Sequence, residues 1–376
     1  MKIIEREIGY KIKEFIDLGK AIVIMGPRQV GKTTLLNNIF SQRNDVLWLN
    51  GDDGDVQSNF DNENIQTFKN YLNNKKVLIV DEAQRIENIG LKLKILQDNL
   101  GNEYQIIATG SSSFDLSNKI NEPMTGRKWE LKMFPVTFKE MVKHTDLLTE
   151  KRMLNNRLLY GYYPDVINNP GKEKLILREI ANDNLYKDIF KWENIKKPTA
   201  LIKLLVALAH QVGSQVNISE LSQLLSLDRK TVERYLTFLE QAFIIFRLGT
   251  YSQNLRNELK MSEKYYFYDV GIRNSLLGNF ENINIRSDIG ELFENFVIAE
   301  LIKTNEDLSF LFPGYFWRTK DGQEVDYVED KNGKIVAYEF KWNPKAKGKI
   351  PKLFLETYNP KIAKILNRDN FYEVLI

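Results

Sequence analysis

At 376 residues, 43% apolar and 27% charged, the chain has the make-up of a globular protein with about two or three cores. The lack of cysteine excludes disulfides and thiolate metal centres, and with only His144 and His210 a histidine triad or histidine-rich metal site is not expected. A net charge of +3 says little about nucleic acid, but residues 341–376 carry eight basic and three acidic side chains, a local basic face.

The opening MKIIEREIGYKIKEF is charged throughout, with no apolar signal core, and no later run is long enough to span a bilayer. A cytoplasmic location without membrane contact is expected. AIVIM (21–25) reads as a buried parallel strand, and TTLLNNIF behind the next loop has helical spacing. Between them stands GPRQVGKT, in which Gly26, Gly31, Lys32 and Thr33 fit G-x-x-x-x-G-K-[ST]. Strand, glycine loop and helix are what phosphate binding needs. Backbone N–H groups curl around the phosphate oxygens, and the helix N-terminus adds positive potential. The expected ATP loop is Gly26, Pro27, Arg28, Gln29, Val30, Gly31, Lys32, Thr33 and Thr34, with Lys32 on the β- and γ-phosphates and Thr33 offering a hydroxyl to Mg²⁺. The competing explanation is a chance match in a glycine-containing turn.

VLIVDEAQ (77–84) is a second buried strand ending in two carboxylates. Asp81 is expected to hold Mg²⁺ through water, and Glu82 to orient or deprotonate the attacking water. A third strand, in YQIIATGSSS (104–113), brings Thr109, Ser111 and Ser112 either to the γ-phosphate and lytic water or into capping the next helix. Three such strands separated by helical stretches predict an α/β fold with a doubly wound parallel sheet and ligand at the strand C-termini. Arg28 and Arg127 are candidates for stabilising γ-phosphate charge, in cis or from a neighbouring subunit; for Arg127 a surface ion pair is the alternative. A contribution in trans would require a homo-oligomer.

GPRQVGKTT, VLIVDEAQRI, ATGSSS and GRKWELKMFPVTFKEM together resemble a large group of poorly characterised prokaryotic AAA-type P-loop ATPases. The resemblance implies that this ATPase is paired with a C-terminal domain of unknown function. RLLYGYYPDVINNP (157–170), aromatic and turn-rich, carries GYYPDVI, which also matches the group. It is expected to pack within a helical lid beside the nucleotide.

From Lys197 the pattern changes. ALIKLLVALAHQVG, NISELSQLLSL and DRKTVERYLTFLEQA read as three helices, the second capped by Asn217 or Ser219 and the third by Asp228. FIIFRLGTY and EKYYFYDV follow as strands, completing a winged helix-turn-helix with the third helix as the recognition helix. Arg229, Lys230, Thr231 and Arg234 on that helix, with Arg256, Lys260 and Lys264 on the wing, are candidates for phosphate contacts. Residues 196–270 nevertheless carry ten basic and seven acidic side chains, so DNA contact rests on fold analogy rather than charge.

DIGELFENFVIAELIK (288–303) is an amphipathic helix with Glu291 and Glu294. GYFWRTKDGQEVDYVED and KNGKIVAYEFKW then form a hairpin turning at Asn332–Gly333, with Asp326 on the first strand. Glu339 and Lys341, two apart, face one side of the second strand. Two carboxylates can hold Mg²⁺, and a lysine beside them can place water or stabilise phosphorane-like charge. The competing explanation is a solvated hairpin. With Glu294 as a third metal ligand, the set resembles the PD-(D/E)-x-K restriction-endonuclease-like superfamily. FENFV, EVDY, EFKW and NPKAK also stand where the ATPase group has them in its C-terminal domain, so the resemblance covers nearly the whole chain. One departure is that Val325–Asp326 replaces the usual Pro-Asp. The superfamily tolerates this, and it also includes proteins that keep the fold without cleaving.

The expected organisation is a P-loop ATPase core over 1–145, a helical lid over 146–196, a winged helix over 197–270 and a small α/β restriction-endonuclease-like domain over 271–376. The expected function is Mg²⁺-dependent ATP hydrolysis coupled to nucleic acid, DNA first, through the winged helix and the basic tail. Asp326, Glu339 and Lys341 supply the candidate nuclease centre. Two alternatives compete. One is a signalling or stress switch that binds a protein partner through an inactive nuclease-like module. The other is a transposition- or defence-type ATPase that recruits a separate nuclease.

Overall fold

The computed structural model describes residues 3–61, 65–111, 124–181, 195, 197–252, 263–305, 314–331 and 333–376. The chain divides into two units, Met1–Val136 with Gln241–Phe243, and Thr137–Glu240 with Ile244–Ile376.

In the first unit, short runs rich in Ile, Val and Leu form the strands β1 (Ala21–Met25), β2 (Val46–Asn50), β3 (Val77–Asp81) and β4 (Gln105–Gly110), and the more polar KWELK forms β5 (Lys128–Lys132). They pair in parallel in the order β2-β3-β4-β1-β5. β1 and β4 are buried along their whole length, which explains why they lack polar alternation. The order inserts β4 between the glycine-loop strand and the strand ending in Asp81. All five strands share one direction, so the loop, Asp81 and Thr109 meet at one edge of the sheet. The buried Arg6 ties this edge together, donating to Val30 O at 2.8 Å and to Phe134 O at 2.6 Å.

The second unit holds a seven-stranded sheet in the order β12-β11-β10-β9-β7-β8-β6. The strands are β6 (Gln215–Val216), β7 (Ile245–Thr250), β8 (Glu263–Phe267), β9 (Tyr315–Arg318), β10 (Glu324–Lys331), β11 (Lys334–Phe340) and β12 (Ile362–Leu366). The three predicted helices before β7 are present as Pro198–His210, Ile218–Leu225 and Arg229–Gln241. Asn217 caps the second, and Asp228 accepts from Thr231 N at 2.9 Å at the start of the third. Apart from Gln241–Phe243, the stretches read as lid, winged helix and C-terminal domain fall in this one unit. Its sheet is continuous because β7 pairs in parallel with β9, Gly249 against Tyr315 and Thr250 against Phe316.

The GYYPDVI motif has a packing role. Gly161 adopts φ +68°, and a Cβ there would lie 2.1 Å from Asp269 Oδ1. Asp269 instead accepts from Tyr162 N at 2.7 Å and caps Val270–Leu277 through Ile272 N at 3.1 Å. Tyr162 Oη donates to Glu150, which also holds Arg157 by two hydrogen bonds.

Candidate nucleotide site and a C-terminal carboxylate centre

The phosphate loop leaves β1 at Gly26, where a Cβ would sit 1.9 Å from Met133 O, so only glycine permits the close passage of the chain beyond β5. Gln29 and Gly31 take φ +61° and +94°, turning the backbone before the helix Lys32–Phe40 begins. The buried Lys32 donates to Gly26 O at 2.7 Å and Pro27 O at 2.9 Å, its ammonium held against the loop. Pro27 and Val30 are buried, Arg28 is half-buried, and Gln29, Thr33 and Thr34 are exposed.

Asp81 joins three elements. Its Oδ2 accepts from Thr33 Oγ1 at 2.7 Å, and its Oδ1 accepts from the Thr109 hydroxyl on β4. Thr109 also accepts from Glu82 N at 3.2 Å. Thr109 thereby locks the carboxylate pair to the neighbouring strand, at the sheet edge where the phosphates are expected. Glu82 itself sits at φ +48°, and its carbonyl lies where a Cβ on Gly51 would come within 2.4 Å. A left-handed glutamate at a strand tip is a strained arrangement that the close approach of Gly51 accommodates. Gln84 Nε2 bridges Glu82 Oε2 at 2.6 Å and Ser111 Oγ at 3.1 Å. Sequence reasoning passed over Gln84 and Arg6; for the former the available signal was an amide side chain two positions after Glu82, and its burial shows only in the fold. Ser112 lies outside the described residues.

Arg127 is a correction. It precedes β5, whose first residue Lys128 pairs with Ala21 at the start of β1, so it lies at the end of the sheet opposite the loop. There its Nε contacts Asp98 at 2.5 Å, and a γ-phosphate contact in cis is excluded by strand direction.

In the second unit, Asp326, Glu339 and Lys341 come together as expected. Asp326 Oδ2 accepts from Phe340 N at 2.8 Å across the β10–β11 hairpin, and Lys341 Nζ donates to Glu339 Oε1 at 2.7 Å. A register shift in β10 between Val325 and Val328 sends both valines into one apolar cluster with Trp317 and Phe354, leaving Asp326 on the other side. Glu339 Oε2 is buried without a hydrogen-bond partner. Burial first, and then the Asp326 charge, pushes Glu339 up to about 7. Burial likewise raises Asp326.

Glu294 reaches the same region from the helix Ile289–Thr304, but its carboxylate is committed elsewhere. Tyr266 Oη donates to Glu294 Oε1 at 2.6 Å, and Lys264 Nζ lies 3.8 Å from the same oxygen. Burial and then Asp326 push it up to about 8, against the opposing Lys264 charge. Of the three carboxylates expected to ligate a metal, Glu294 is thus the one that a tyrosine and an internal cation already hold. Among the described residues no group of three or more Asp, Glu or His side chains is spaced to hold a metal ion. The pair Asp326 and Glu339 retains an orphaned buried oxygen, on Glu339, that suits a cation.

Lys264 is also a correction. Expected on a solvated wing, it is 1% exposed and forms an ion pair with Glu324. Arg229, Lys230 and Arg234 are exposed on their helix as expected, as are Lys345, Lys347 and Lys349 in the basic tail, whereas Arg256, Lys260 and Asn332 lie outside the described residues. No helix among the described residues is long and apolar enough to cross a membrane.

Residues 18–142 match the family model described as an AAA domain, which makes this part of the chain an AAA-type P-loop domain. Residues 151–282 and 289–371 match two models, each described as a domain of unknown function (DUF8612 and DUF4143). The chain is similar to an uncharacterized protein of Haemophilus influenzae, 26% identical over 99% of this chain and 91% of the other. An uncharacterized protein of Methanocaldococcus jannaschii is 26% identical over 90% of this chain and 78% of its own length. Among solved structures, a Signal Transduction ATPase with Numerous Domains (STAND) protein from Pyrococcus horikoshii aligns with 81% of this chain and 46% of its own, at TM-score 0.31 and 12% identity. The Pif1 helicase from Candida albicans aligns with 48% of each chain, at TM-score 0.26 and 14% identity. The chain thus spans less than half the length of either solved protein.

Proposed function

We propose that the AAA-type P-loop domain binds and hydrolyses Mg-ATP, and that the second unit uses the nucleotide state to engage nucleic acid, DNA first. The observation that carries the reading is the division of Asp81 between Thr33 and Thr109, which joins the phosphate loop to the strand ends where an attacking water would stand. The loop N–H groups and Lys32 would bind the phosphates, and Thr33 and Asp81 would hold Mg²⁺, which supplies charge neutralisation between the β- and γ-phosphates. Glu82 would take the proton of the attacking water, its carboxylate oriented by Gln84 and its backbone by Thr109. A trans-acting arginine from a second copy would complete the charge stabilisation.

In the second unit the three helices with β6, β7 and β8 support a winged-helix reading. Its exposed Arg229, Lys230 and Arg234 and the basic Lys345, Lys347 and Lys349 would meet phosphates. The restriction-endonuclease-like reading is supported by Asp326, Glu339 and Lys341. The two carboxylates would hold a divalent cation, which polarises a phosphodiester, and Lys341 would place the attacking water. A second reading, an inactive docking module of a protein-binding switch, is favoured by the commitment of Glu294 to Tyr266 and Lys264.

The test combines ATP hydrolysis with cleavage of plasmid, linear duplex and single-stranded DNA in Mg²⁺ or Mn²⁺. Lys32→Ala is expected to lower ATP turnover by about 10²-fold or more, and Glu82→Gln to abolish turnover while ATP still binds. Cutting lost in Lys341→Ala and altered by ATP supports the nuclease reading. Intact ATPase activity without cutting transfers the second unit to the docking reading, and ATP turnover unmoved by any DNA or RNA removes the nucleic-acid coupling.

A further inference from the structure

The carboxylate centre has two unequal halves. Glu339 meets the half-exposed Lys341 and keeps a buried oxygen without a partner, while Asp326 accepts from Phe340 N and feels the charge of Lys264 and then of Lys341. Glu294 and Glu324 meet a different cation, Lys264, which comes from strand β8 of the hairpin before the centre. Lys264 lies over the Phe316 ring at 5.1 Å, and its charge is held by Glu294, Glu324 and Asp326 against the cost of burial. Glu324 is completed by Arg318 at 2.8 Å, and Glu294 by Tyr266 at 2.6 Å. A buried ammonium between two carboxylates from a helix and another strand fixes all three groups, because separating any one would strand a charge away from water.

We propose that Lys264 is a positioning residue of the C-terminal centre: a fixed internal cation that takes Glu294 and Glu324 out of competition for an external divalent ion and leaves Asp326 and Glu339 as the pair that receives it. The inference rests on the cation-binding reading of that pair. It makes β8 a part of the centre, which a domain beginning at residue 271 would lack. It also explains why a helical carboxylate beside the pair is bonded to a tyrosine and a lysine.

The experiment is Mn²⁺ titration of the full chain without nucleotide, by calorimetry and by the electron paramagnetic resonance of free Mn²⁺. The Asp326→Asn variant identifies binding at the centre. Lys264→Met removes the one positive charge that Glu294, Glu324 and Asp326 share, so Mn²⁺ is expected to bind tighter by on the order of tenfold or more, or in a second equivalent. Lys264→Arg is expected to keep the wild-type affinity, and Glu324→Gln added to Lys264→Met to reverse the gain. Glu294→Gln, which leaves Lys264 in place, is expected to weaken Mn²⁺ by no more than about tenfold, whereas Glu339→Gln abolishes binding. Unchanged Mn²⁺ binding in a folded Lys264→Met protein overturns the proposal. Should that variant not fold, loss of binding in Glu294→Gln equal to that in Glu339→Gln overturns it instead. A wild-type protein with no Asp326-dependent site defeats the cation-binding reading alone; Lys264 keeps its assigned role if Lys264→Met then acquires a site and loses it if no site appears.

Discussion

Single positions in this chain carry constraints that composition conceals. Gly161 is held at φ +68° with the Asp269 carboxylate where a side chain would begin. Gly161→Ala would strain the backbone and push Asp269 from Tyr162 N, so a loss of about 2–3 kcal/mol is expected in chemical denaturation. The carboxylate cannot move aside cheaply, because burial raises the Asp269 carboxyl and its backbone hydrogen bonds hold it down. Residue-scale chemistry was legible where its spacing is local. Lys32 and Thr33 follow Gly26 within one loop, and Asp81 and Glu82 are adjacent. The Thr109–Asp81 bond was not, because it depends on which strand is inserted between β1 and β3. Nor was Lys264, whose partner Glu324 lies 60 residues away.

At the scale of elements, apolar runs announced three strands of the first sheet, β1, β3 and β4, and cap residues announced helix starts. One cap is complete: Thr137 accepts from Glu140 N at 3.1 Å, and Glu140 returns the bond to Thr137 N at 2.9 Å. Thr137→Ala should therefore cost about 1 kcal/mol, read from the denaturation midpoint at unchanged slope. Strand direction is what misled the reading of Arg127. A basic residue ahead of a strand belongs to the N-terminal end of a parallel sheet, whereas phosphate chemistry gathers at the C-terminal end. The register shift in β10 was equally hidden, since EVDYV alternates well enough to pass for a regular strand.

For the molecule as a whole, buried carboxyls set the response to pH. Folded Glu294 and Glu339 hold their protons up to about 8 and about 7, chiefly through burial. The unfolded chain releases them near about 4.3. Between about pH 5 and pH 8 the folded state binds more protons, so the contribution of these groups falls as pH rises. Thermal melting across that window should decline, and Glu339→Gln should flatten the decline. An unchanged slope in that variant would remove Glu339 as a source.

The pairing of β7 with β9 also bears on how the chain can be cut. It occupies the edge that β9 would otherwise offer to any extended neighbour, through Gly249–Tyr315 and Thr250–Phe316. A proteolytic product starting after Leu277 would carry that edge bare, beside aromatic Phe316 and Trp317, and would recruit a second copy strand to strand. Limited digestion within this unit is thus a route to oligomers and precipitate, and the hairpin serves the intact chain as a covalently attached guard against it.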